Sequence, residues 1–427
     1  MREESSVQSN PNHNLAVGYH SRCQICGNEH LEPVIDLGHQ APCDSLLRTH
    51  QLTQPEATYP LRFLRCPECS LAQIDYVVPP EELFYPDYPY RSGITPSLVK
   101  HLRSTGAKII ETYGLQPGAL AIDIGSNDGT LLSGFKDLGM RVLGIEPTNI
   151  SKIANDAGIE TIQAFFSKPL AAEIVAKHGH ASAVTAANMF AHVAGLGDLI
   201  QGVETLLQPG GVFVTESHYL LDLIETCQYD SIYHEHLKFY SLRSLIKLFG
   251  YYDFTVVDVE RIPNYGGSIR VFAAKGKNQP VKPAVAALLA EEEAFGLYGS
   301  EVFTRFAAQV RKSRQDLQRL AIQAKDEGKT MVGVGCPGRA ATLLGYCAMD
   351  SELMPYIAEQ STSLKLGMFL PGQHIEIVDE QRMFDEQPEY AVMLSWHYWE
   401  PIVAKLRQKG LKSKIVLPLP ELRIIES

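Results

Sequence analysis

The chain has 427 residues, 45% of them hydrophobic, and carries 49 acidic against 38 basic side chains for a net charge of −11. That length predicts two or three domains with a sizeable core, and the acidic balance argues against a nucleic-acid-binding surface, which needs clustered Lys and Arg. No apolar run reaches the roughly 18 residues that a membrane span requires, so no membrane partner is expected.

The opening MREESSVQSNPNHN is polar and lacks the apolar stretch of a signal peptide. Residues 1–18 read as a disordered lead-in, and the protein as cytoplasmic, where its eight cysteines stay thiols or metal ligands rather than disulfides. Four of them form the pairs Cys23-x-x-Cys26 and Cys66-x-x-Cys69. This spacing presents two thiolates to one tetrahedral ion, with Gly27 and Pro67 as turn residues. Residues 19–80 are therefore expected to form a zinc-binding subdomain. Four thiolates close the coordination sphere, so the zinc is structural. Cys43, Cys227, Cys336 and Cys347 have no matched spacing and read as buried small apolar residues.

Residues 81–280 read as an α/β domain. Helical periodicity over 98–112 precedes the apolar strand 119–124, which opens into Gly125-Ser126-Asn127-Asp128-Gly129 and a helix from Thr130. Strand, glycine turn and helix make the first unit of a doubly wound, Rossmann-like sheet. The spacing G-x-x-x-G differs from the dinucleotide fingerprint, and Asp123 stands two residues before the first glycine. A carboxylate there suits a cationic amino-acid group, which a pyrophosphate-binding loop would not want. The next strand, 141–145, ends in Glu146, placed to accept hydrogen bonds from ribose hydroxyls. Asp123, Gly125, Ser126, Asn127, Gly129 and Glu146 together look like a class I S-adenosylmethionine (SAM) site. A helix over 150–158, a short segment 160–166, a strand over 182–187 and a helix over 196–207 follow. A Pro209-Gly210-Gly211 tight turn then leads into a strand over 212–216. Asn188 and His192, at the end of strand 182–187, fall on the carboxyl edge of the sheet where ligands bind.

Tyr233-His234-Glu235-His236 is a run of polar groups that is costly to bury without partners or work. In an extended segment His234 would face away from its neighbours. From residue 281 to 427 a second Rossmann-like α/β domain is expected. It opens with a helical spacer over 283–325, broken near Gly296 or Gly299. Strands follow at 330–334, 356–358, 390–394 and 414–418, with a helix over 340–347. The loop Gly333–Arg339 could hold phosphate through backbone amides, the helix start and Arg339, or be no more than a tight turn.

The paired knuckles, IDIGSNDGTLL, ANMFAHV, YHEHLKFYS and GGSIRVF (266–272) occur in that order, followed by LPGQHI. In these motifs, over nearly its whole length, the chain resembles the C-3 methyltransferases of branched-deoxysugar biosynthesis. Those enzymes methylate an NDP-4-keto-6-deoxysugar on the way to mycarose- or tetronitrose-type sugars. The resemblance implies His236 as catalytic base, with Tyr233, Glu235 and His192 in support. It also implies a tyrosine, Tyr88 or Tyr90, that closes over the substrate, and a monomer that holds its nucleotide-linked keto-deoxysugar between the middle and C-terminal domains. Cys336, Pro337 and Arg339 depart from the small residues and lysine that the resemblance leads one to expect. An O- or N-methyltransferase of another small molecule, or a non-catalytic zinc-ribbon scaffold on a SAM fold, are the alternatives.

Overall fold

The computed structural model describes residues 11, 13–84, 91–94 and 96–426. Its central sheet has seven strands in the order Phe254–Ile262, Ser268–Lys275, Leu207–His218, Ala181–Ala187, Leu120–Ile124, Arg141–Ile145 and Thr161–Ile162. The five strands from Leu207–His218 to Thr161–Ile162 are parallel. The other two add antiparallel at one edge. Strand Leu120–Ile124 is buried at every position, as a central parallel strand covered on both faces should be. The helix Pro96–Tyr113 closes one face through Gly106 and Gly134. Each lets backbones pass so closely that a Cβ on Gly134 would lie 2.2 Å from the Arg103 carbonyl oxygen.

The C-terminal sheet has six strands in the order Glu376–Asp379, Tyr356–Glu359, Met331–Val334, Tyr390–Met393, Lys414–Leu417 and Arg423–Ile425, all parallel but the last. Helices Pro283–Phe295 and Glu301–Asp326 precede it, with the break at Gly296 in a left-handed conformation. Both parallel sheets reverse strand order beside their first strand, and the loops at the two switch points line one shared cleft. Among the described residues no helix is long and apolar enough to cross a membrane.

Three local expectations are corrected. The Pro209-Gly210-Gly211 turn is a bulge inside the continuous strand Leu207–His218, where the register to Ala181–Ala187 shifts. The expected lead-in of residues 1–18 is tied down at His13 and Leu15, although Asn14, Ala16 and Val17 stay exposed. The His13 ring is buried, with its Nε2 2.7 Å from the Ile25 carbonyl, and the Leu15 amide donates to Ala194 at 3.0 Å. The tetrad is a turn, not an extended segment: the His236 amide donates to the Tyr233 carbonyl at 2.9 Å. Immediately after it, Lys238–Phe239 joins strands Ala72–Ile74, Tyr59–Arg65 and Glu32–Gln40 as the edge of the N-terminal sheet. The tetrad thus sits where the central chain enters the zinc subdomain.

Candidate active site

The knuckles fold as their spacing predicts. The Gly27 amide donates to the Cys23 carbonyl and the Ser70 amide to the Cys66 carbonyl, both at 3.0 Å, with Gly27 and Ser70 left-handed. The four sulfurs lie within 4.8 Å of one another, and the contacts Cys23–Cys69 and Cys26–Cys66 are 3.4 and 3.5 Å. A tetrahedral zinc with Zn–S bonds of about 2.3 Å sets its sulfurs roughly 3.8 Å apart, so the donor set fits the ion. None of the four cysteines lines the cleft, and four thiolates leave the ion no open position, so the zinc has a structural role.

The glycine loop is built by close approaches. Gly125 has a φ of 72°, and a Cβ there would lie 2.8 Å from the Met189 side chain. At Gly129, φ 78°, a Cβ would stand 3.0 Å from Ile159. Asp123 is buried and its Oδ1 accepts a 2.6 Å hydrogen bond from the Thr185 hydroxyl. Burial pushes its carboxyl up to about 7, the Thr185 hydrogen bond pulls it down, and nearby Glu146 adds to the rise. Glu146 accepts from the Asn127 amide at 3.0 Å and from the Thr148 amide and hydroxyl at 2.9 and 2.7 Å. Ser126 Oγ and Asn188 Oδ1 are buried without hydrogen-bond partners among the described residues. A cavity floored by two carboxylates, with unpaired polar atoms and no room for a Cβ at Gly125, fits the cationic, hydroxyl-rich SAM. The Asn127 side chain has another task, accepting from the Ser92 amide at 2.9 Å. Asp128 does the same for Gly93 at 2.7 Å. The loop thereby anchors the chain that emerges from residues 85–90. Tyr88 and Tyr90 lie outside the described residues.

The cleft beside this loop has a volume of about 740 Å³ and takes in His192, Tyr233, Glu235 and His236, but not His234. The turn brings the rings of Tyr233 and His236 to 4.0 Å between centroids. His234 points out of the cleft, its Nε2 3.3 Å from the Pro60 carbonyl. His236 belongs to a row of rings. Phe84 stacks on His192 at 5.8 Å, His192 lies 4.8 Å from His236, His236 4.6 Å from His218, and His218 6.1 Å from Tyr265. The His236 Nδ1 is 2.7 Å from the Ser231 carbonyl oxygen. A carbonyl can only accept, so Nδ1 carries the proton and Nε2 keeps its lone pair. Burial holds His236 well below the usual imidazole value, assisted by His218 and His192, and burial brings His192 down to about 4. All are therefore neutral at pH 7. Burial likewise raises the Tyr233 phenol well above its usual value, so it remains a donor.

Of the residues in and behind the cleft, Arg339 was singled out by its loop, whereas Cys43, Asp44 and Lys365 carry no local sequence signal. Cys43, read as merely apolar, is buried but donates to Glu235 Oε1 at 3.4 Å. Its neighbour Asp44 pairs with Lys365 at 3.1 Å, and Lys365 also donates to the Cys336 carbonyl at 2.9 Å. Arg339 turns inward from the start of the helix Arg339–Tyr346. It lies 3.5 Å from the fully buried Asp230, donates to Ser231 Oγ and to Gln228 Oε1 at 3.2 Å, and meets His397 Nδ1 at 3.0 Å.

Three family models match the chain: a zinc binding domain over residues 23–84, a methyltransferase domain over 99–259, and a C-methyltransferase C-terminal domain over 263–420. The C-methyltransferase NovU of Streptomyces niveus is 33% identical over 409 residues, 95% of this chain and 97% of NovU. Among solved structures, the magnesium protoporphyrin IX methyltransferase ChlM of Synechocystis PCC 6803 with bound SAM aligns at 12% identity and a TM-score of 0.32, over 42% of this chain and 79% of that one. The glycopeptide N-methyltransferase MtfA complexed with sinefungin aligns at 13% and 0.32, over 40% and 93%. Fold and site define a SAM-dependent methyltransferase with a structural zinc subdomain. More narrowly, the chain belongs to the C-methyltransferase family that includes NovU.

Proposed function

We propose that the acceptor is a nucleotide-linked 4-keto-6-deoxysugar and that the methyl group is placed on its C-3. The observation that carries this reading is the lone pair on His236 Nε2, fixed by the Nδ1 hydrogen bond to Ser231. Carbon becomes a nucleophile only when a proton leaves it. A proton alpha to a ketone is acidic enough for a neutral imidazole to remove.

In this account His236 Nε2 takes the C-3 proton and the C–H pair forms the C-3 to C-4 double bond. The carbonyl π pair moves onto the C-4 oxygen. The tautomer is set before substrate arrives, so the base meets the C–H bond with no reorganisation. The phenol of half-buried Tyr233 and the imidazole of His192 flank His236 and can donate to a developing oxyanion. Glu235, hydrogen-bonded by Cys43, takes a sugar hydroxyl or amine. Bound SAM, held by Asp123, Glu146 and the glycine loop, supplies an electrophilic methyl group on a sulfonium. Arg339 and Lys365, both lining the cleft, provide positive charge for the diphosphate. The row of rings keeps bulk water from the enolate.

The test is a panel of dTDP-, UDP-, GDP- and CDP-4-keto-6-deoxysugars incubated with enzyme and SAM. Mass spectrometry should find one added methyl on at least one of them, with NMR placing it on C-3. Methylation on oxygen or nitrogen only would overturn the reading.

A further inference from the structure

The row of rings in the cleft contains one histidine to which neither the sequence motifs nor the reaction above gives a task. His218 is the last residue of the strand Leu207–His218, at the carboxyl edge of the central sheet. It lines the cleft with its ring 4.6 Å from His236 and 6.1 Å from Tyr265. Neither of its ring nitrogens has a hydrogen-bond partner among the described residues. The ring is half-buried on the cleft wall, so its N–H is available to a ligand that enters there.

Its surroundings are fixed firmly. Tyr265, the ring that backs it, is held in a left-handed conformation at φ 54°, ψ 25°. That is an unusual backbone state for an aromatic residue. The Tyr398 hydroxyl holds it there, accepting from the Tyr265 amide at 3.1 Å and donating to Asn264 Oδ1 at 2.8 Å. The two glycines that follow are dictated by packing, since a Cβ on Gly266 would stand 2.7 Å from Gln228 and one on Gly267 2.3 Å from Asp222. The turn therefore presents the Tyr265 ring to the cleft and, through it, sets His218 beside the base.

We propose that His218 is a further catalytic residue, donating a hydrogen bond to the ketone oxygen next to the carbon that His236 deprotonates. This rests on the sugar reading above. His236 lies between His192, whose ring stacks on Phe84, and His218, which faces Tyr265 and has Arg339 of the C-terminal domain nearby. Two rings this close can serve neighbouring atoms of one enolising ketone, one taking the proton and the other meeting the charge. Burial, with Arg339 and His192 nearby, brings His218 down to about 3. It is thus a neutral donor that keeps its own proton throughout, and the proton balance of the step is unchanged.

The experiment compares wild type, His218→Phe and His218→Gln on whichever 4-keto sugar of the panel wild type methylates, with SAM affinity followed by calorimetry. The phenylalanine variant keeps the ring volume without a donor and should lose on the order of 10²-fold in kcat at near-unchanged KM and SAM affinity. The glutamine variant, which retains an N–H, should recover at least about tenfold of that loss. If the phenylalanine variant no longer binds SAM, His218→Leu takes its place. An unchanged kcat, a rise in KM alone, or equal loss in both variants would overturn the assignment. A wild type that methylates none of the sugars instead overturns the functional reading itself.

Discussion

His236 Nδ1 donates to the carbonyl oxygen of Ser231, five residues upstream, at 2.7 Å. The same Ser231 takes Arg339 on its side-chain oxygen. One residue therefore joins the tautomer of the candidate base to a cation delivered by the C-terminal domain. The contact of that domain and the hydrogen bond that orients the base therefore meet on a single turn.

Arg339 is also the counter-ion of Asp230, which is fully buried and held up by burial while Arg339 pulls it down. Removing one member of a buried pair leaves an uncompensated charge. Arg339→Met should cost about 3 kcal/mol, read as a lowered denaturation midpoint, and Asp230→Asn in the same chain should restore part of it. An unchanged midpoint would show that the pair does not hold the domains together.

The zinc site makes a different prediction. Cys66→Ser removes one of four thiolates whose binding energy is also folding energy. The variant should emerge with less than one zinc per chain by elemental analysis and with a melting temperature well below that of wild type. A zinc-free variant of full stability and activity would refute the structural role.

Asp123 gives the cofactor site a pH dependence. Its carboxyl is raised to about 7 in the folded protein, chiefly by burial. Between its unfolded value of about 3.9 and about 7, the folded chain thus holds a proton that the unfolded chain has released. That contribution to stability is complete at low pH and lost as pH rises through the folded value. SAM, a cation, selects the ionised form. Its affinity should be level above pH 7 and fall by up to about tenfold per unit below it. Titration calorimetry in two buffers should show proton release near pH 6.5. Asp123→Asn should flatten the profile and weaken binding, and a pH-independent affinity in wild type would contradict this.

How much of this was legible beforehand depended on how local each feature is. The knuckles and the SAM loop were legible because their geometry is written in spacings of two to four residues. Asp123 and Glu146 followed because strands place their ends in register. The tetrad stood out in the sequence and three of its residues line the cleft, but their facing was wrongly argued from alternation. A turn closed by the Tyr233 carbonyl, not an extended strand, puts Tyr233 against His236 and turns His234 away. His218 follows Thr215, Glu216 and Ser217 at the end of its strand and looks like an ordinary polar strand end. Only the fold brings it to His236. Cys43 is 192 residues from the Glu235 that it meets, and no one-dimensional pattern carries that distance. The bulge at Pro209–Gly211 was missed because its glycines signal a turn equally well.

On the proposed reading, the task of His236 is removal of the C-3 proton of a 4-keto sugar. Its most direct measurement is deuterium incorporation at C-3 when the sugar nucleotide is held in D₂O with enzyme and S-adenosylhomocysteine, where no methyl can transfer. Wild type should exchange that hydrogen, and His236→Asn should do so at least roughly 10²-fold more slowly while binding the cofactor product equally well. Exchange at the wild-type rate in His236→Asn would contradict the account.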